Sequence, residues 1–282
     1  MSSINLTLRY LHNYTRHVIK YRAVVLILIC MIMIALYGCD LRQQSHLKNR
    51  ISSQSEMKHG RNLLNHGYNA QAMKAFGRAV ELAPSRFDAC VTIAAILLSK
   101  DMYAESIPYF EKAIAIPPGS SDRPDETMDN IWDSELYLSI GGAYYGMGRI
   151  EDAENAYREA LKLNPKNSTA YNDWGYMYAD NGIKLDEALK LTKRAVEMRP
   201  REGAYVDSLG WALFKKGRNA EALKTLIKAA KLSPSEVEIR YHLGMAYESN
   251  RQLEAAFIEY RKALLLEPSH KPTLKQIRDL HK

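Results

Sequence analysis

The chain has 282 residues, a formal charge of +7, 46% apolar and 25% charged side chains, and three cysteines. That is enough apolar chain to bury a large core without disulfides, and the composition excludes a mostly disordered or collagen-like protein. The charge is uneven: Arg9, Arg16, Lys20 and Arg22 stand in the first 38 residues with no acidic side chain, and removing those four leaves 35 basic against 32 acidic residues. The remainder is nearly balanced and shows no basic stripe interleaved with aromatics apart from the short tail Lys271 to Lys282, so nucleic-acid binding is not predicted.

From Ala23 to Cys39 no residue is charged, and this run of 17 directly follows the basic flank, in the order of an export signal. Seventeen residues is short for a spanning helix, which needs about 20. The end of the run, Leu36-Tyr37-Gly38-Cys39, resembles the lipobox of bacterial lipoproteins. The resemblance implies cleavage before Cys39 and its lipidation; two acyl chains make anchoring stable. Asp40 directly after the cysteine resembles the inner-membrane retention signal of enteric bacteria, which favours the inner over the outer membrane. A second reading stays open, an uncleaved signal anchor, because Tyr37 is bulkier than the lipobox usually shows and the basic flank is long. Both readings keep the positive flank cytoplasmic and place everything after residue 39 outside, facing the periplasm. Residues 1–38 are thus the export signal or anchor, and 39–52 a tether.

Beyond the tether, six prolines fall in phase, at Pro84, Pro118, Pro165, Pro200, Pro234 and Pro268, with spacings of 34, 47, 35, 34 and 34. Setting each proline at position 32 of a 34-residue unit puts Gly60, Ala94, Gly141, Gly175, Gly210 and Gly244 at position 8. The same frame puts alanine at position 27 six times, from Ala79 to Ala263, and a small residue at position 20, from Ala72 to Ala256. One residue inserted after the turn of the fourth unit accounts for the 35 spacing. Positions 4, 7, 8 and 11 follow the i, i+3, i+4, i+7 rule of one apolar helix face, and the small residue at position 8 lets a second helix cross closely. Glycine at position 15 (Gly67, Gly148, Gly182, Gly217) suits a helix end of positive φ, and the proline stops the second helix.

This pattern resembles the tetratricopeptide repeat (TPR), most fully in the third unit, with Tyr137, Ile140, Gly141, Tyr144, Gly148, Ala153, Tyr157, Ala160 and Pro165 at signature positions. The resemblance covers residues 53 to 268 and implies an all-α superhelical solenoid of about six TPR helix-turn-helix repeats with a C-terminal capping helix. Repeats one and two occupy 53–118, an acidic insert 119–133, repeats three to six 134–268, and the cap 269–282, where Leu274, Ile277 and Leu280 would cover the last apolar face. Departures mark particular places. Glu56 and His59 make the first repeat a polar cap; Pro108 near the start of a second helix is expected in its first turn. Asp101 and Arg251 replace the turn glycine, and Thr192 the usual aromatic of repeat four. The insert, with five carboxylates counting Asp133, lacks the alternating ligands of a calcium loop and reads as solvated, with the option that it splays the repeats into two blocks.

In this repeat family the concave groove is lined by positions 2, 5, 9, 12 and 13 of the first helix. Carried onto repeats three to six, those positions give Leu138, Tyr145, Asn172, Tyr176, Asp207, Trp211, Phe214, Lys215, Tyr241, Met245 and Glu248 as candidate partner-binding residues. Two readings of the aromatics are open: peptide anchors, or core packed against the next repeat. Lys215 and Asn172 lie in different repeats, so a clamp for a C-terminal carboxylate is not predicted, and an apolar partner segment fits better. No nucleophile and base, phosphate loop or metal spacing occurs; Cys90 reads as a buried small hydrophobe, His242 as a surface histidine, and His59 with His66 lack a third ligand. The expectation is a non-enzymatic, membrane-tethered envelope adaptor with protein partners and no cofactor or metal; the alternative is a self-associating scaffold.

Overall fold

The computed structural model describes residues 44–45, 47–123 and 128–280. The export segment and Cys39 lie outside them. Every regular element among the described residues is helical. The first pair is α1 (47–65) and α2 (Asn69–Leu82), the second α3 (Arg86–Leu98) and α4 (Tyr103–Ile114), the third α5 (Asp129–Gly146) and α6 (Ile150–Leu163). The fourth is α7 (Ser168–Asp180) and α8 (Leu185–Met198), the fifth α9 (Gly203–Lys215) and α10 (Asn219–Leu232), the sixth α11 (Val237–Ser249) and α12 (Leu253–Leu266). Helix α13 (Lys271–Leu280) follows. Among the described residues no helix is long and apolar enough to cross a membrane.

Two compact units divide the chain, one ending at Ala89 and one beginning at Cys90. In the first, Gly60 of α1 faces the Phe76 ring of α2 so closely that a Cβ would sit 2.5 Å from it. Ser53 donates a hydrogen bond to the Ala79 carbonyl at 2.7 Å, and Glu56 pairs with Arg78 at 2.8 Å on the more open side. His59 is exposed.

In the second unit each odd helix from α5 onward packs on its even partner, and each even helix packs on the next odd one. Successive odd helices also meet, α5 with α7, α7 with α9 and α9 with α11, so they form one continuous face. The small residue at position 8 makes the pairing possible. A Cβ would lie 2.6 Å from the Tyr157 ring at Gly141, 2.6 Å from Leu226 at Gly210 and 2.3 Å from Tyr260 at Gly244. In the fourth repeat it meets Thr192, fully buried and donating its hydroxyl to the Ala188 carbonyl at 2.8 Å. The alanines at positions 20 and 27 are likewise shut off from solvent, and burying each large ring they admit is worth about 2 to 3 kcal/mol.

Asp101 and Arg251, in the glycine's place, take the same left-handed conformation, with φ of 56° and 60°. So does Lys184, at φ 45°, the residue inserted in the fourth repeat; it precedes α8 and pairs across repeats with Glu154 at 2.6 Å. Pro108 lies in the second turn of α4, not the first, where it removes a donor that would otherwise bond back to residue 104. The helix continues because Ile107, Tyr109 and Phe110 on either side of it are buried.

The acidic insert is not simply solvated. Arg123, its side chain 1% exposed, lies 3.2 Å from Asp129, pairs closely with Asp133 and donates to the Ile116 carbonyl at 2.9 Å. Its carboxylates at the α5 start therefore neutralise a buried guanidinium, and α4 packs on α5. The terminal helix meets α12 but covers little: only Thr273 of α13 is buried, and Leu274 stays 37% exposed. Gln276 ties it to α11 by donating to Glu248 at 3.0 Å.

Candidate functional site

The odd helices α5, α7, α9 and α11 together enclose a concavity of about 400 Å³. It lies where the repeat twist brings position 5 of one helix beside positions 6 and 9 of its neighbours. The Asn167 side chain fixes one of these contacts. Its Oδ1 caps α7 by accepting from the Ala170 amide at 3.0 Å, and its Nδ2 donates back to Ser134 and Glu135 of α5, each at 3.0 Å. Ser134 itself donates to the Ala160 carbonyl at 2.8 Å, repeating the Ser53–Ala79 bond of the first pair.

Of the eleven candidates, Tyr145, Asn172, Tyr176 and Asp207 line the concavity. Tyr145 is half-buried and donates its hydroxyl to Asp180 at 2.7 Å; Asn172 is buried and donates to Asp173 at 3.0 Å. Leu138, at 9% exposure, and Trp211, at 6%, are core residues. Trp211 stacks on His242 of the next repeat at 4.1 Å between centroids, and on Phe214 of its own helix at 5.0 Å. Phe214 and Met245 pack against the same core cluster. Lys215 sits 5.1 Å over the Trp211 ring and donates to the Asp180 carbonyl at 2.9 Å. Tyr241, half-buried, leans on His242 and Tyr260, and Glu248 serves the terminal helix and the Tyr260 hydroxyl.

Residues at position 6 supply what the stripe of positions 2, 5, 9, 12 and 13 leaves out: Asp173, Ser208 and His242. The signal was present in the spacing, since position 6 stands four residues after position 2 and three before position 9 on the same helix face. His242, expected at the surface, is only 2% exposed. Its Nδ1 donates to Asp207 Oδ2 at 2.9 Å, a bond between consecutive odd helices. Burial alone would push the imidazolium toward neutrality, but the Asp207 carboxylate, with Glu238 and Asp180 behind it, outweighs burial and holds the pKa above the usual 6.5. Asp173 is pushed the opposite way in charge: burial raises its carboxyl above the ordinary range and Glu135 adds to this, while the Asn172 amide opposes both. The hydroxyls of Tyr145 and Tyr176 are pushed up by burial and by nearby carboxylates, so they stay neutral donors. Cys90 is buried, as its place on an apolar face implied.

Tetratricopeptide-repeat family models match residues 57–121 and 208–270, and residues 134–167. The chain belongs to the tetratricopeptide-repeat family. Among solved structures, this TPR chain is similar to the APC/C hetero-tetramer Cut9-Hcn1, at TM-score 0.61 and 14% identity over 81% of this chain and 42% of that one. It is similar also to a thermophilic TPR protein of Thermus thermophilus, at TM-score 0.56 and 19% identity over 68% and 97%. Both likenesses concern the fold alone.

Curated relatives include the Protein CTR9 homolog of Arabidopsis thaliana, 23% identical over 73% of this chain and 18% of that protein. The human Protein O-mannosyl-transferase TMTC3 is 26% identical over 50% of this chain and 17% of its own length. The Photosystem I assembly protein Ycf3 of Prochlorococcus marinus is 28% identical over 39% and 64%. The TPR chain therefore spans less than a fifth of the length of the first two.

Proposed function

We propose that this TPR protein is a non-enzymatic adaptor that binds a protein partner on the face made by α5, α7, α9 and α11. The observation that carries the reading is the concavity itself: it joins four consecutive repeats and holds polar groups that packing alone does not need. Repeat helices that present a continuous face bind extended or helical segments by pockets placed at the repeat spacing. Relatives named for assembly, such as the Photosystem I assembly protein, support the same class.

The finer reading is that the adaptor is tethered to the membrane through lipidated Cys39 or an N-terminal anchor, faces the periplasm with the inner membrane favoured, and serves an envelope complex for pilus or secretion, proteolysis or cell-wall and polysaccharide work. The uncharged run and the lipobox-like residues support it. Labelling with a fatty-acid analogue tests the tether: incorporation lost in Cys39→Ala supports lipidation, and incorporation absent from the wild type removes it.

In-cell crosslinking followed by affinity capture tests the binding face. The variant combines Tyr145→Ala with Tyr176→Ala, both half-buried lining residues, and circular dichroism checks that helicity is kept. Loss of a specific envelope partner is expected; a partner set identical to the wild type would retire this face. The alternative, self-association, is favoured by one observation, the outward apolar side of α12 with Leu253 51%, Ile258 53% and Leu265 80% exposed. Sedimentation of the wild type against Leu265→Glu separates the two.

A further inference from the structure

We propose that the concavity between α5, α7, α9 and α11 receives the guanidinium of an arginine side chain carried by the partner polypeptide. This rests on the reading of that face as the partner-binding surface and adds the chemistry it selects. Asp173, Asp207, Glu236 and Glu238 line the concavity and no lysine or arginine does, although the whole chain carries +7; the one basic lining group, His242, is already paired with Asp207 Oδ2. Carboxylates at a surface are ordinarily solvated and select nothing.

Here two acceptors have been withdrawn from water without a donor. Asn172 and Asp207 are 8% and 5% exposed, and the Oδ1 atom of each has no hydrogen-bond partner. Internal bonds hold both side chains in place, Asn172 through its amide to Asp173 and Asp207 through Oδ2 to His242. An unmet buried acceptor is a standing cost that an incoming donor removes. Asp173 adds a carboxyl that burial and Glu135 both keep from ionising freely, a condition that a nearby cation reverses.

Among biological cations the guanidinium fits best. It carries five donors in one plane, is weakly hydrated and so is cheaply drawn into a half-buried site, and stacks on aromatic faces. Tyr145 and Tyr176 supply rings in the same concavity. A lysine ammonium offers three donors around a strongly hydrated point charge and meets the separated acceptors less well. A partner's carboxylate terminus meets repulsion.

The full-length protein in detergent is titrated with the capped pentapeptide Ac-Ala-Ala-Arg-Ala-Ala-amide and with its citrulline counterpart, which keeps the shape and drops the charge. The readouts are the nuclear magnetic resonance signals of the His242 ring and the Trp211 indole N–H. The arginine peptide is expected to shift both and to bind about tenfold more tightly than citrulline, with lysine between. Asp173→Asn, unchanged in size, weakens arginine binding severalfold. Ala204→Arg, at an exposed lining position, supplies a guanidinium from the chain itself and abolishes it even if Asp173→Asn folds poorly. Equal binding of citrulline and arginine, or no shift with either, overturns the proposal. Free arginine amide binding as tightly as the pentapeptide overturns a partner as the source of the cation. If Tyr145→Ala with Tyr176→Ala loses its cellular partner while citrulline and arginine bind alike, the binding face stands and only its preference for a cation falls.

Discussion

His242 Nδ1 of α11 donates to Asp207 Oδ2 of α9 at 2.9 Å, joining residues 35 positions apart in a site almost closed to solvent. The bond crosses from the fifth repeat to the sixth and lies against the Trp211 ring. A buried ion pair of this kind holds two repeats in one relation, because neither charge tolerates losing the other.

That pair sets a pH dependence. The His242 pKa is raised above its unfolded value near 6.5, so the folded state binds the proton more tightly than the unfolded chain. Its contribution to stability is full below pH 6.5 and disappears as pH rises through the folded-state value. Urea unfolding between pH 6 and 9 is expected to show the loss, and His242→Gln to flatten it; a His242 ring that titrates below 6.5 would refute the assignment. Asp207→Asn costs about 1 to 3 kcal/mol by weakening the bond and is expected to lower the midpoint of the His242 titration.

Adjacent glycines in α5 have opposite roles. A Cβ at Gly141 would lie 2.6 Å from the Tyr157 ring, whereas one at Gly142 meets nothing within 4 Å. Gly141→Ala is expected to cost about 1 to 3 kcal/mol through overpacking. Gly142→Ala is expected to add about 0.5 to 1 kcal/mol, from the lower entropy cost of a helical alanine. Thermal unfolding of the two variants side by side decides it.

Arg251 holds φ 60° in the turn between α11 and α12, where four other repeats have glycine. Arg251→Gly removes a left-handed strain of about 1 to 2 kcal/mol. It also gives the unfolded chain more freedom, so a net gain of about 0.5 to 1 kcal/mol in a denaturant titration is expected. A loss would show that the Arg251 side chain contributes more than its backbone costs.

Asn167 caps α7 and ties it to α5. Asn167→Ala is expected to lose about 1 to 2 kcal/mol. Asn167→Asp keeps the capping oxygen but faces Glu135 with a second negative charge. Its deficit is expected to shrink as pH falls through the carboxylate range, and the Ala deficit is not, which unfolding at pH 4 and pH 7 distinguishes.

The helical pairs were legible in the sequence because their causes are local and recur. A small residue at position 8 is required wherever a large side chain crosses from the second helix, a left-handed turn is required between the helices, and a proline ends each unit. Even the exceptions kept their geometry, as Asp101 and Arg251 show by adopting the glycine's backbone angle. The concavity was half legible. Tyr145, Asn172, Tyr176 and Asp207 follow from the helix face, but the depth of each side chain depends on how far one repeat is rotated on the next. Only the tertiary structure decided that Trp211 packs inward on His242, that position 6 contributes Asp173 and His242, and that Arg123 in the insert is buried between carboxylates. These contacts join residues 6 to 35 positions apart, and a periodic pattern names the face of each helix without specifying the rotation that brings two faces together.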